Sequence, residues 1–134
     1  MAQLRRHQQE LAQAKANVLL VSFSSAVKMK AWLEETESPF PVLLDQHRGA
    51  YRAYGLRHSL VHSWNLRTIR AYIELKRAGR KWRGIQDDSA QLGGDFIVDT
   101  TGFVRLAHRS RDPVDRPDVG ELLQILRGLA PTVG

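Results

Sequence analysis

A predicted β-hairpin in residues 93–108 constrains the fold more than any other feature of the sequence. Residues 96–98 are a continuous apolar run and residues 103–106 alternate in part, so both segments are predicted to be strands. The connection between them holds Asp99, which can accept backbone N–H bonds, and Gly102, which tolerates a positive φ. The glycines at 93 and 94 let the backbone enter the first strand at an angle that a Cβ would resist.

The rest of the chain alternates strand-like and helix-like patterns. The predicted elements are a helix over residues 3–15, a strand over 18–23, a helix capped by Ser24 or Ser25, a strand over 40–44, a short helix ending at Gly55, a helix over 66–78, the hairpin, and a helix that begins at Asp115 and ends at Gly128. The apolar run at 18–23 suits a strand that is covered on both faces. Strands that alternate with helices predict a mainly parallel sheet, to which the hairpin adds an antiparallel pair.

Length and composition favour a single globular domain over residues 1–134. Of the 134 residues, 43% are hydrophobic and 25% are charged. No apolar run approaches the ~20 residues of a membrane-spanning helix, and residues 1–10 lack the apolar centre of a secretion signal. We therefore expect a cytoplasmic protein without a membrane partner. The chain contains no cysteine, which excludes disulfides, thiolate metal ligands and a cysteine nucleophile from it.

The positive charge of the chain is concentrated in one segment, residues 57–83. This basic segment contains eight lysine or arginine residues and one acid, Glu74, a charge of +7 that leaves −1 for the rest of a chain of net charge +6. Any acidic partner is therefore expected to bind there. The candidate anion-binding or partner-binding residues are Arg67, Arg70, Arg77, Arg80, Lys81 and Arg83.

Two interpretations of the basic segment remain open. Trp64, Tyr72 and Trp82 are interleaved with the basic residues, and such aromatic rings can stack on bases while cations neutralise phosphates. However, Tyr72 falls on the apolar side of the predicted helix, and the arginines fall on its polar side. A solvated helix is therefore favoured over a nucleic-acid site.

Serine and histidine residues have simple structural interpretations. Ser24 and Ser25 follow a strand without a G-x-S-x-G motif, so helix capping is favoured over nucleophilic catalysis. His58 and His62 are four residues apart, but no third metal ligand is evident and a solvent-facing role is favoured. His108 is adjacent to Arg109 in the sequence, and a half-exposed position at a strand end is favoured over anion binding.

Aspartate and glycine motifs likewise predict turns and caps. Asp112, Asp115 and Asp118 recur at every third residue but lack the glycine and closing glutamate of a calcium loop. The glycines at 93 and 94 lead into a strand, whereas phosphate-binding loops lead into a helix. The sequence thus predicts no catalytic residue, no metal site and no cofactor site.

Four motifs, in this order and spacing, resemble the peroxiredoxin-like AhpC/TSA family of the thioredoxin superfamily. The motifs are VLLVSFSS at residues 18–25, FPVLLD at 40–45, YRAYGL at 51–56 and GGDFIVD at 93–99, followed by Gly102. The resemblance extends from residue 3 to about residue 126. It implies an α/β, thioredoxin-like fold, with a central mixed sheet, a C-terminal β-hairpin and flanking helices. It also implies thiol-dependent reduction of peroxides or disulfides.

The chain departs from this family in two respects. In the family, the reactive cysteine follows the first core strand and precedes a helix, and residues 3–15 resemble that helix. No position of this sequence therefore corresponds to the cysteine. The chain is then an N-terminally shortened relative, either a fragment or the product of a mis-called start, and we expect it to be inactive in thiol chemistry. The family also usually places a cis-proline before the strand that residues 95–99 resemble, where this chain has two glycines.

The missing first core strand has a structural consequence. In the family it lies between the strands that residues 18–23 and 95–99 resemble, so two strand edges either face each other across a gap or pair directly. Unpaired buried backbone groups are costly, at about 1–3 kcal/mol each. Exposed strand edges can also recruit a second copy of the chain and give a homo-oligomer. The alternative function is a non-enzymatic module that binds an acidic partner through the basic segment.

Overall fold

The computed structural model describes residues 2–58, 66–78 and 91–130, in which helices accompany two small β-sheets. The elements are α1 (Ala2–Arg6), α2 (Gln8–Gln13), β1 (Leu20–Ser22), α3 (Ala26–Thr36), β2 (Val42–Leu44), α4 (Gly49–Ala53), α5 (Leu66–Arg77), β3 (Gly94–Val98), β4 (Val104–Arg109) and α6 (Val119–Leu129). The predicted first helix is therefore two short helices that are interrupted at His7. Among the described residues, no helix is both long enough and apolar enough to cross a bilayer.

The four strands form two separate sheets. β1 and β2 pair in parallel, with Leu20 opposite Val42. β3 and β4 pair antiparallel, with Ile97 opposite Leu106 and an irregularity between Ile97 and Val98. In the described part of the chain no pairing joins β1 to β3. Of the two predicted alternatives for these strand edges, a gap between them or direct pairing, the structure therefore has the gap. The predicted mixed α/β character is confirmed, but these residues do not form one continuous sheet.

β1 is exposed on one face, and the prediction that both of its faces are covered is wrong. Leu19 is 52% exposed and Val21 is 38% exposed, whereas Leu20 is half-buried. Helix α3, which follows β1, contributes no buried residue. The apolar run therefore reflects strand propensity more than burial.

The main core lies between α2 and α6. Leu11 of α2 packs with Val119 and Leu123 of α6, and these three side chains are 4–8% exposed. Partly buried neighbours complete the cluster: Leu4, Ala16, Val18, Phe40 and Leu126. The apolar face predicted for the last helix is confirmed.

The last helix begins at Val119, because Asp118 and not Asp115 is its N-cap. The Asp118 carboxylate accepts a hydrogen bond from Gly120 N at 2.8 Å, which satisfies an amide that the first helical turn leaves without a partner. Asp115 instead accepts a hydrogen bond from Arg111 N at 2.8 Å. The helix also continues one residue past its predicted end at Gly128.

The hairpin turn forms as the sequence predicts. Asp99 Oδ1 accepts hydrogen bonds from Thr101 N at 2.9 Å and from Phe103 N at 3.0 Å. Gly102 has a φ of 90°, a conformation that residues with a Cβ rarely adopt. Local chemistry therefore determines this connection.

Candidate functional site

The short helix α4 is fixed by a carboxylate at the end of β2. Asp45 accepts hydrogen bonds from Gly49 N at 2.9 Å, from Ala50 N at 2.8 Å and from Tyr51 N at 3.3 Å. A negative charge at a helix N-terminus is favourable because it faces amides that have no intrahelical partner. Asp45 therefore connects the end of β2 to the first turn of α4.

Tyr51 connects α4 to the edge of β1 that faces away from β2. Its hydroxyl donates a hydrogen bond to the carbonyl oxygen of Val21 at 3.1 Å. Its ring meets the Phe23 ring edge-on, with the centroids 5.5 Å apart. A tyrosine hydroxyl thus satisfies a backbone acceptor that, in a wider sheet, would pair with a neighbouring strand.

Tyr54 connects the end of α4 to the antiparallel sheet. Its ring packs against Phe96 of β3, with the centroids 4.6 Å apart and an interplanar angle of 64°. Arg109 of β4 donates a hydrogen bond from Nε to the Tyr54 carbonyl at 2.7 Å and stacks over the Phe96 ring. Gly55 follows with a φ of 68°, and a Cβ there would lie 3.2 Å from Arg109 Nε. The backbone turn and the arginine therefore require a glycine at this position.

Because Tyr51 and Tyr54 are three residues apart, they lie on one side of the same helical turn. Tyr51 contacts Val21 of β1, and Tyr54 contacts the ring of Phe96 of β3. We call this region the inter-sheet junction, and it comprises Val21, Phe23, Arg48, Tyr51, Tyr54, Phe96, Arg109 and Arg116.

Arg116 also connects the two sides of the junction. Its Nη1 lies 3.0 Å from Asp95 Oδ2 on β3, in a partly exposed ion pair. Burial raises the pKa of the Tyr51 hydroxyl above its ordinary value, the charge of Arg116 opposes that rise, and the charge of Asp45 adds to it. One guanidinium group therefore acts on a residue of α4 and on a residue of β3.

The predicted basic candidates lie only partly within the described residues. Arg67, Arg70 and Arg77 are on α5, where the Arg70 and Arg77 side chains are exposed. Arg70 pairs with Glu74 at 3.2 Å, and such a surface pair contributes little to stability. The other predicted groups lie outside the described part of the structure: the side chains of Arg67 and Tyr72, and the residues Arg80, Lys81, Arg83, Trp64 and Trp82.

The serine and histidine residues singled out in the sequence lie partly within the described residues. Ser25 is the N-cap of α3 and accepts a hydrogen bond from Lys28 N at 3.4 Å, as predicted. His58 forms an isolated antiparallel bridge with Gln91, and its predicted companion His62 lies outside the described residues. In the described ranges, no group of three or more His, Cys, Asp or Glu residues is arranged to hold a metal ion.

A buried polar cluster lies between β4 and α6. His108 Nε2 is 3.2 Å from Asp115 Oδ1, close enough for an ion pair when the imidazole is protonated but not aligned for a hydrogen bond. The backbone hydrogen bond from Arg111 lowers the pKa of Asp115, although burial opposes this shift. Ser110 is 1% exposed, and its hydroxyl meets no hydrogen-bond partner among the described residues. The three groups therefore do not form an activated serine nucleophile, which needs a hydroxyl bonded to its base.

Sequence reasoning does not identify the junction, although one signal is present. Tyr51 and Tyr54 stand at i and i+3 within the motif YRAYGL, and two aromatic rings on one side of a single turn indicate a contact surface. The contributions of Arg109 and Arg116 come from residues more than fifty positions away along the chain, and no local pattern reveals them.

The comparisons agree with the fold. A family model described as "AhpC/TSA antioxidant enzyme" matches residues 3–112, which is most of the chain and includes the whole inter-sheet junction except Arg116. Among curated proteins, none matches the chain.

Proposed function

Since the chain belongs to the AhpC/TSA antioxidant enzyme family and contains no cysteine, we propose that it is a cytoplasmic binding domain that does not itself reduce peroxides or disulfides. The single observation that carries this proposal is the absence of any thiol. Thiol-dependent reduction of a peroxide requires a thiolate as the nucleophile. No residue of this chain can supply one.

The arrangement of the junction supports a binding role. The inter-sheet junction contains the phenol of Tyr51, the rings of Phe23 and Phe96, and arginines. These groups suit contact with a partner, because aromatic and arginine side chains are enriched in protein interfaces. They include no nucleophile of the kind that the family's reaction needs.

A peroxidase assay tests the proposal. The purified chain is incubated with hydrogen peroxide and dithiothreitol in the presence of a metal chelator, and the remaining peroxide is measured over time. A cysteine-containing member of the family serves as the positive control. We expect peroxide loss to equal that with dithiothreitol alone, and turnover above that background would refute the proposal.

A second candidate function is the binding of an acidic partner, such as a nucleic acid, by the basic segment. Arg70 and Arg77 support it, because both are exposed and, seven residues apart, lie on one side of α5. Ile69 and Ile73 on the same helix are 40% and 47% exposed, so apolar side chains accompany the cations.

A salt titration tests the second candidate. Binding of a fluorescent single-stranded oligonucleotide is measured by anisotropy at several salt concentrations. We expect Arg77→Gln to reduce the slope of log K against log salt by about 1. Arg6→Gln, at an exposed position on α1, serves as the matched control and should leave the slope unchanged. Binding without salt dependence, or an equal effect of both variants, would exclude this function.

A further inference from the structure

Helix α5 exposes apolar and cationic side chains on the same side. Ile69 and Ile73 are 40% and 47% exposed, and the side chains of Arg70 and Arg77 are exposed as well. Because Ile69, Ile73 and Arg77 are spaced four residues apart, they form one row along the helix. Arg70, three residues before Ile73, lies beside that row. We call these four residues the α5 face.

The positive charge of α5 is not balanced within the helix. Residues 66–77 include four lysine or arginine residues and one acid, Glu74, a charge of +3. Glu74 accepts a hydrogen bond from Arg70 Nε at 3.2 Å in an exposed pair, and a pair of this kind is weak enough to exchange for another anion. Since the chain outside the basic segment carries only −1, its charge distribution favours contact with an anionic surface through this segment.

The combination of groups on the α5 face distinguishes between anionic partners. A nucleic acid would contact the arginines through its phosphates, but its backbone offers no apolar surface to Ile69 and Ile73. An anionic bilayer surface is complementary to both kinds of side chain, because its headgroups attract the guanidinium groups and its acyl boundary accepts the isoleucines. The aliphatic part of an arginine can also lie along an apolar region while its charged end stays in water.

From these observations we infer that the α5 face binds reversibly to the surface of membranes that contain anionic lipids. Ile69 and Ile73 enter the boundary between headgroups and acyl chains, and Arg70 and Arg77 contact the headgroups. The helix lies on the membrane surface and does not cross it.

The inference deepens the second candidate function, on which it rests, because it names the acidic partner of the basic segment. It does not depend on the proposed loss of redox activity. It departs from the sequence-based expectation of a chain without a membrane partner, which rested on the lack of a spanning segment and of a secretion signal.

Co-sedimentation with lipid vesicles tests the inference. The purified chain is mixed at low salt with vesicles of equimolar phosphatidylcholine and phosphatidylserine, or with vesicles of phosphatidylcholine alone. We expect binding to the anionic vesicles to be stronger by at least about tenfold, and to weaken as salt screens the exposed charges. Equal binding to both kinds of vesicle, or no binding to the anionic ones, would overturn the inference.

A double variant, Ile69→Ser with Ile73→Ser, separates a lipid partner from a nucleic acid. Binding to the anionic vesicles should fall by at least about tenfold, because two apolar side chains no longer leave water. Affinity for a single-stranded oligonucleotide, which depends on the cations, should change by less than about twofold.

Val27→Ser is the matched control for this double variant. Val27 is 81% exposed on α3, a helix whose two lysines are balanced by two glutamates. Its replacement should change vesicle binding by less than about twofold, because the neutral helix has no attraction to the headgroups. Equal vesicle binding of the control and of the double variant, both folded as judged by circular dichroism, would contradict the inference.

A fluorescent label gives a test that does not depend on the serine variants. Because the chain contains no cysteine, Ile73→Cys and Val27→Cys each provide a single site for a thiol-reactive NBD fluorophore. Anionic vesicles that contain lipids brominated on their acyl chains should quench the label at position 73 by at least about twofold and leave the label at position 27 unquenched. A label at position 73 that is not quenched on bound vesicles would refute the insertion.

Two outcomes distinguish failure of the inference from failure of the second candidate function. If the oligonucleotide binds with the expected salt dependence and the anionic vesicles do not bind, the inference is wrong and a nucleic acid is the favoured partner. If neither binds, the inference and the second candidate function are both wrong.

Discussion

Replacing Gly94 by alanine should destabilise the protein, and the structure shows why. A Cβ at this position would lie 2.7 Å from the backbone carbonyl oxygen of His108 and 2.7 Å from Cδ2 of Leu56. It would also lie 2.9 Å from Cε2 of Phe96. The leucine and phenylalanine side chains can move, but the carbonyl oxygen belongs to the paired strand β4 and can move only if the register of the hairpin is disturbed.

The magnitude follows from two opposing contributions. Overpacking of this kind costs about 1–3 kcal/mol. Alanine also lowers the conformational entropy of the unfolded chain, which stabilises the folded state by about 0.4–1 kcal/mol. This contribution applies here because Gly94 does not have a positive φ, so alanine can adopt its backbone conformation. The free energy of unfolding should therefore fall by about 1–2 kcal/mol, which corresponds to a Tm lower by roughly 3–8 °C for a chain of this size.

Gly128 provides a control of the opposite sign. It lies within α6, and a Cβ there would have no atom within 4 Å. Gly128→Ala should raise the free energy of unfolding by about 0.4–1 kcal/mol, because alanine is the better helix former. Urea denaturation followed by circular dichroism measures both variants. If Gly94→Ala proved as stable as the parent chain, the close approach of β3 and β4 would be refuted.

Three further predictions concern the core, a helix cap and the junction. Leu123→Ala should lower the free energy of unfolding, measured by urea denaturation, by about 2–5 kcal/mol, because Leu123 is 4% exposed within the α2–α6 core. A loss of less than about 1 kcal/mol would contradict that packing. Asp118→Ala should lower the free energy of unfolding by about 1 kcal/mol, because the N-cap of α6 is lost. The control Gln124→Ala, at an exposed position of the same helix, should leave it nearly unchanged. Equal stability of the two variants would argue against the cap. Burial raises the pKa of Tyr51, so its contribution to stability is complete below the unfolded-state pKa near 10 and is lost as the pH rises through the higher folded-state pKa. Absorbance titration of the parent chain against Tyr51→Phe should show this phenol ionising with a midpoint above about 10, and a midpoint at or below about 10 would exclude its burial.

The features that the sequence predicts best depend on residues close together in the chain. The hairpin turn needs only Asp99 and Gly102, and the backbone amides that Asp99 binds lie within four residues of it. The inner face of α6 follows from apolar spacing alone. The sequence misplaces the cap of the same helix, because Asp115 and Asp118 are chemically identical and only the contacts of Asp115 with Arg111 and His108 distinguish them.

The candidate site depends on distant contacts, and this is why sequence patterns do not reveal it. The motif that contains Tyr51 is visible in the sequence, but the bond from its hydroxyl to Val21 spans thirty residues. The contact of Arg109 with Tyr54 spans fifty-five. Periodicity shows which side of an element is apolar, and it does not show which backbone edge a side chain will reach.

The architecture makes α4 the element on which both sheets depend. A parallel pair of three-residue strands is only marginally stable by itself, and so is an isolated hairpin. Here Asp45 fixes α4 to the parallel pair, and Tyr54 with Arg109 joins the end of α4 to the hairpin. Substitutions that remove these contacts of α4 are therefore expected to destabilise both sheets.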